Sequence, residues 1–121
     1  VGSVRSHRDL IAWQKAIDLV EWCYQVTETF PRDEQFGLTQ QLRRAAVSVP
    51  ANIAEGKGRG ASKEFVRYLA IANGSLTELD THFVIAARLG YINEATLEEV
   101  VERIEEVGRI VTGLRKSLEA R

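Results

Sequence analysis

Apolar side chains recur every three or four residues along nearly the whole chain. No stretch alternates with the period of two that a half-buried strand requires. The first run is Leu10, Trp13, Ile17, Val20 and Tyr24. It is opened by Ser6, with Asp9 three residues on in capping-box spacing, and closed near Phe30-Pro31. This predicts a helix over 7–30. After an acidic turn (Arg32, Asp33, Glu34), Leu38, Leu42, Ala45, Val49 and Ile53 mark a second helix over 34–56, closed by Gly56. The third run is the most regular: Phe65, Leu69, Ala72, Leu76, Leu79, Phe83 and Ala86 step by four and three in turn. With Ser62 as the expected N-cap and Gly90 as the stop, it predicts a helix over 62–89. Asn93 caps a fourth helix over 94–119, which turns Leu97, Val100, Ile104, Val111, Leu114, Leu118 and either Val107 or Gly108 inward.

Short connections place sequential helices antiparallel. The expected fold is therefore all-α: a single-domain, up-down-up-down antiparallel four-helix bundle. Pro50 falls inside the second helix, where it lacks a donor and crowds the carbonyl of Ala46. Because Leu42, Val49 and Ile53 keep helical phase across it, the expectation is a kink at Pro50 rather than a break. Helix 1 carries a second apolar stripe (Ala12, Leu19, Trp22, Cys23, Val26) beside the first, and helix 3 carries Val66, Ile71, Val84 and Ile85 off its seam. So wide an apolar arc points to a second packing surface. Leu19, Trp22, Cys23 and Val26 are the residues expected at an interface between copies of the chain.

Composition changes this picture little. In 121 residues, 16 Lys+Arg balance 17 Asp+Glu, which excludes a globally basic nucleic-acid coat. The lone Cys23 excludes a disulfide framework and fits a reducing compartment, and no apolar run approaches 18 residues. A cytoplasmic protein with no membrane partner is expected.

Charge distribution says more. Residues 43–67 hold Arg43, Arg44, Lys57, Arg59, Lys63 and Arg67 against Glu55 and Glu64, a local balance of +4. Residues 94–106 hold six glutamates against Arg103, a balance of −5. The six basic residues are candidates for phosphate or RNA contact, beside a glycine turn and the N-terminus of helix 3. The glutamates suit either a solvated helix face or a basic protein partner.

Catalytic chemistry finds no purchase. Gly56-Lys57-Gly58-Arg59-Gly60 lacks the Gly-Lys-Ser/Thr ending and the preceding strand of a nucleotide loop. His7 and His82 are the only histidines, and no paired Glu-x-x-His of a di-metal bundle occurs. No enzyme activity, metal or cofactor is expected. Asn73-Gly74-Ser75 matches a glycosylation pattern but lies inside the most regular helix, where the small pair Gly74-Ser75 suits close helix approach. Asn52, Glu55, Ser75 and Glu78 are expected as polar contacts within the bundle, with Glu78–Arg44 and Glu55–Arg67 as conceivable pairs.

The stretch Gln41-Leu42-Arg43-Arg44-Ala45-Ala46-Val47-Ser48-Val49-Pro50-Ala51-Asn52-Ile53-Ala54-Glu55-Gly56, continuing through Gly58-Arg59, resembles the signature of the bacterial proteins encoded in 23S ribosomal RNA intervening sequences. The resemblance extends through Lys63-Glu64-Phe65, Leu69 to Leu79 and Leu89-Gly90-Tyr91-Ile92, nearly the whole chain. It implies an up-down bundle assembling into a ring-like homopentamer. The chain is also similar to the accessory proteins of diversity-generating retroelements, which bind nucleic acid and a reverse transcriptase. The expected function is thus a non-enzymatic oligomeric bundle, encoded in a ribosomal RNA intervening sequence, that binds RNA or nucleic acid through the helix 2–loop–helix 3 region. The alternatives are a protein-binding adaptor using the acidic face of helix 4, and a purely structural assembly.

Overall fold

The computed structural model describes residues 5–121, which contain four α-helices and no strand. These are α1 (Ile11–Thr27), α2 (Leu38–Gly58), α3 (Ser62–Arg88) and α4 (Glu94–Glu119). Short 3-10 turns at His7–Asp9 and Arg32–Glu34 precede α1 and α2. Cross-helix contacts run in opposite directions along each neighbouring pair. Tyr24 meets Arg43 while His7 lies near Gly58, Leu76 faces Gly108 while Asn73 reaches Thr112, and Trp22 meets Glu99 while Lys15 meets Glu106. The helices therefore form an antiparallel bundle around one core.

Local chemistry explains most boundaries. The Ser6–Asp9 capping box is present, with both side chains engaged, but it closes a 3-10 turn instead of opening the long helix. Leu10 is extended (φ −77°, ψ 127°), so α1 starts at Ile11, four residues later than the spacing suggested. At the other end of α1 the helix stops at Thr27, three residues before Phe30. Glu34, expected inside the second helix, ends the 3-10 turn instead. Its Oε1 accepts the Leu38 amide (3.0 Å) at the start of α2, and its Oε2 accepts the Tyr91 hydroxyl (2.8 Å). One carboxylate thus caps α2 and ties it to the α3–α4 connection, where Tyr91 also packs on Phe30. Gly90 ends α3 in the left-handed region (φ 80°). The Tyr91 amide donates to the Ala86 carbonyl and the Gly90 amide to that of Ala87, which is a Schellman closure. Asn93 caps α4 through the Thr96 amide (2.8 Å).

The seam read for α3 is the buried one, from Phe65 through Ala86, joined by His82. Along α4, Val107 rather than Gly108 is buried, with Val100, Ile104, Val111 and Leu118. Helix α2 runs unbroken through Pro50, which is itself buried. Beside it the Ser48 hydroxyl donates to the Ala45 carbonyl (2.7 Å) and the Asn52 amide group to the Ser48 carbonyl (2.8 Å).

Helix α1 reverses the expected assignment of its two stripes. The inward positions are Ala12, Ala16, Leu19, Cys23 and Thr27, whereas Trp13, Ile17 and Val20 are only half-buried and Tyr24 is exposed. Leu19 and Cys23 therefore belong to the core and cannot form an interface between copies. Trp22 and Val26, the other two residues expected there, are half-buried beside the same core. Two alanines on the inner face bring α1 close to the bundle, and its bulkier side chains fill the flanks.

The tightest approach lies where α2 meets α3. A Cβ at Gly56 would stand 2.6 Å from the Cβ of Tyr68 and 3.0 Å from Cδ1 of Phe65. Gly56, read as a helix stop, instead lies buried inside α2 and lets the two backbones meet. Gly60 (φ 85°) supplies the left-handed residue of the following turn, and Ala61 rather than Ser62 takes the N-cap position of α3. Gly74 has open space around it, so it does not serve helix approach.

Two predictions follow from these contacts. An exposed helical glycine gains about 1 kcal/mol on replacement by alanine, but Gly56→Ala should instead destabilise by about 1–3 kcal/mol through overpacking. A urea midpoint at or above the wild-type value would contradict the close approach. The second concerns pH. The Leu38 amide, and then the Tyr91 hydroxyl, hold the Glu34 carboxyl below its usual range, so its contribution exists above that range and is lost as pH falls through the lowered value. Conversely, the Glu34 bond raises the Tyr91 hydroxyl, whose contribution is present below the usual tyrosine range and is lost as pH rises through the raised value. The stability difference between wild type and Tyr91→Phe should therefore be present at neutral pH and narrow on acidification below the usual carboxylate range. A difference that ignores pH would remove the role assigned to this bond.

Candidate nucleic-acid interface

The six basic residues do not form one patch. Arg43 and Arg44 lie about 20 Å up α2 from the α2–α3 turn at 1.5 Å per residue. Arg43 is committed to the fold. Its Nε donates to Thr27 Oγ1 (2.9 Å), its Nη2 to the Tyr24 carbonyl (3.4 Å), and its guanidinium lies 4.4 Å from the Tyr24 ring centre. The buried Thr27 hydroxyl in turn donates to the Cys23 carbonyl (2.7 Å). This fastens the C-terminus of α1 to α2 and satisfies carbonyls that the helix end leaves free. Arg44 is exposed and borders an open groove of about 640 Å³ between α1 and α2, lined also by Tyr24, Phe36, Gln40, Val47 and Ser48.

The remaining four lie at the α2–α3 end, where two of them meet a residue the charge pattern did not single out. Tyr68 receives a hydrogen bond from Arg59 Nη2 on its hydroxyl (2.9 Å), and the guanidiniums of Arg59 and Arg67 lie 5.3 and 5.4 Å from its ring centre. Arg59 also bonds Glu55 (3.1 Å), while Arg67 stands 3.7 Å from Glu64. Tyr68 and then Glu55 hold the Arg59 guanidinium above its already high range, so it is a permanent cation. Among the described residues, Lys57 and Lys63 make no ion pair, which leaves two free ammonium groups beside two oriented guanidiniums. The signal for Tyr68 was present in its spacing from Gly56 and Arg59 across the turn, but it is visible only once the turn's geometry is known.

The expected internal polar pairs do not form. Glu55 is exposed and pairs with Arg59 rather than Arg67. Glu78 is exposed and lies 3.4 Å from His82 rather than beside Arg44. Ser75 and Asn52 are half-buried, and Asn52 spends its donor on its own helix. His82 is buried with its Nδ1 unpartnered among the described residues. Across the molecule, Asn73 donates to Thr112 (3.3 Å) and links α3 to α4.

The acidic run forms a face of α4. Glu99 accepts from Trp22 Nε1 (3.1 Å) and from Arg103 (3.0 Å), and Arg103 lies over the Trp22 ring. Glu102, Glu105 and Glu106 remain exposed around a shallow hollow that includes Arg109. Trp22 thereby serves the α1–α4 contact and packs on Phe83. Burial pushes the Cys23 thiol up to about 12, which leaves it a packed small hydrophobe. Among the described residues no three His, Cys, Asp or Glu side chains are grouped so as to hold a metal ion, and no helix is long and apolar enough to cross a membrane.

These features can be set beside known proteins. A crystal structure of a protein of unknown function from the S23 ribosomal protein family of Bacteroides thetaiotaomicron superposes with a TM-score of 0.80. It is 19% identical, and the match covers 88% of this chain and 99% of that one. At that identity the likeness speaks for the fold alone. No curated protein matches the chain. The family model described as 23S rRNA-intervening sequence protein matches residues 8–113, which span all of α1, α2 and α3 and most of α4. The chain belongs to the 23S rRNA-intervening sequence protein family.

Proposed function

We propose that this protein is a non-enzymatic, self-associating bundle that binds RNA through its α2–α3 turns. The observation that carries the reading is the basic end of the bundle, where Arg59 and Arg67 lie against the Tyr68 ring and Lys57 and Lys63 stand in the helix turns on either side of the connection. Lysines with no internal partner are free to replace counterions on phosphate, and guanidiniums held against an aromatic ring present flat donors to bases or phosphates. One copy supplies few such contacts, because Glu55 and Glu64 offset part of the charge. Several copies bound together raise the effective concentration of each turn for a neighbouring stretch of the same RNA.

Self-association is supported by the outer surface. Phe36 is 82% exposed, and Tyr24 and Val47 join it along the α1–α2 groove. Aromatic and aliphatic groups so displayed in one groove are the usual mark of an interface. The resemblance to ring-forming relatives implies five copies. Placement in the cytoplasm belongs to this reading as well.

A second reading rests on the exposed Glu102, Glu105 and Glu106 of α4, which suit an adaptor for a basic protein. Fluorescence anisotropy with a labelled ribosomal RNA hairpin across a salt series separates the two. Affinity should fall steeply with salt, and Lys57→Ala/Lys63→Ala should weaken binding several-fold and reduce the slope by about one per lysine and copy engaged. No binding at low salt, or binding indifferent to both lysines, would overturn the RNA reading and leave the adaptor in first place.

A further inference from the structure

We propose that the whole basic end of the bundle, and not the α2–α3 turn alone, receives RNA. The N-terminal turn and the last turns of α4 supply further phosphate contacts, and the combined surface suits the stem of a folded RNA. This rests on the RNA reading above and extends its surface to chain segments outside residues 43–67.

The fold sorts charge along the bundle axis. The half that holds the α2–α3 turn (residues 5–16, 51–74 and 109–121) carries eleven Lys and Arg against four Asp and Glu. The other half (17–50 and 75–108) carries five against thirteen. The balances are +7 and −8, in a chain whose total is −1. At 1.5 Å per residue α3 is about 40 Å long, so the centres of the two halves stand roughly 20 Å apart. Exposed charges are screened beyond about 8 Å at physiological salt, so the acidic half does not cancel the field at the basic end. A net charge near zero therefore hides a strongly cationic surface.

Three separate segments meet there. His7 of the N-terminal turn shares a hollow of about 440 Å³ with Gly58 and Arg59, which places Arg5 and Arg8 at this end of α2. Helix α4 arrives from the other side of α3. Its register, Leu76 to Gly108 and Asn73 to Thr112, continues at equal rise to set 116–121 beside about 64–69. The buried Leu118 holds this last stretch on the bundle. Arg5, Arg8, Lys116 and Arg121 are exposed, and among the described residues none of them makes an ion pair.

The layout of these cations determines the partner. A single strand is held by a groove that tracks its backbone. A paired stem instead presents the phosphates of two strands side by side and is recognised by shape and backbone contacts. Here the cations occupy several corners of one end: Arg5 and Arg8 beside α2, Lys57 and Lys63 at the turn, Lys116 and Arg121 beside α3. Such a spread meets two strands at once. The acidic half faces away and repels the same RNA, which leaves one orientation of binding.

Fluorescence anisotropy with a labelled ribosomal RNA hairpin across a salt series tests this on the full chain. Lys116→Ala/Arg121→Ala and Arg5→Ala/Arg8→Ala should each weaken binding about three- to tenfold and lower the slope of log affinity against log salt by about one to two. Arg32→Ala/Arg88→Ala removes the same charge from exposed positions at the acidic end and should change neither. An unpaired RNA of equal length should bind at least tenfold more weakly than the hairpin. A slope that ignores both basic-end variants, or that falls as much with Arg32→Ala/Arg88→Ala, would overturn the extended surface. Equal affinity for the unpaired RNA would overturn the assignment to a stem. A wild type that binds no RNA at low salt would defeat the RNA reading itself, a result distinct from a binding wild type that responds to Lys57→Ala/Lys63→Ala alone.

Discussion

At Gly56 the backbone of α2 stands so close to α3 that a single methyl group would meet Tyr68 and Phe65 at 2.6 and 3.0 Å. That contact decides where the turn between the two helices can lie. It seats Phe65, the first residue of the α3 seam, against α2, and it fixes Tyr68 one turn further along. Arg59, just beyond the end of α2, then falls within hydrogen-bonding reach of the Tyr68 hydroxyl and of Glu55. The same close approach that begins the core therefore also organises the basic end of the molecule. A larger residue at 56 would push apart both the first layer of the core and the arginines arranged over it.

The opposite end is held by polar ties rather than by close packing. Glu34 caps α2 and receives Tyr91 from the α3–α4 connection, while Arg43 joins the last turn of α1 through Thr27 and Tyr24. Each tie connects elements far apart in the chain and uses groups that a helix end would otherwise leave to water. Arg43 shows how a residue beside a basic cluster can be structural: its donors point at α1, and its flat face covers a tyrosine. Arg44, one residue later, is turned outward and exposed.

Periodicity located the helices because three of the four have a single dominant seam, and the side chains on those seams are large. Leu69, Leu79 and Phe83 of α3 and Val100 and Val111 of α4 are fully buried as their spacing requires. Helix α1 misled because its inner face, Leu19 apart, is made of Ala12, Ala16, Cys23 and Thr27, whose small volumes carry little weight in a hydrophobic pattern. Trp13, Ile17, Val20 and Tyr24 outweigh them from the flank. The capping box at Ser6 was legible and real, yet the extended Leu10 separates it from the helix it was expected to open. Glu55 and Glu78 were placed inward by proximity to the seam, but the rotation of about 100° from the buried Gly56 and Leu79 next to them sets both in solvent. Of the candidate site, the sequence named the charges at the α2–α3 end and missed Tyr68, because an aromatic between two arginines nine and one residues away becomes a centre only when the turn folds them together.

The bundle's stability is settled internally, and its outer features are divided by side: a basic turn at one end and an acidic face on α4. The proposed function rests on RNA meeting the α2–α3 turn rather than any other face. Amide hydrogen exchange with and without a ribosomal RNA hairpin tests that proposal most directly. Protection should rise on adding RNA in residues 55–68, which carry the turn, and stay constant in 98–109 on the acidic face. Protection that ignores RNA everywhere, or that rises chiefly in α4, would contradict it.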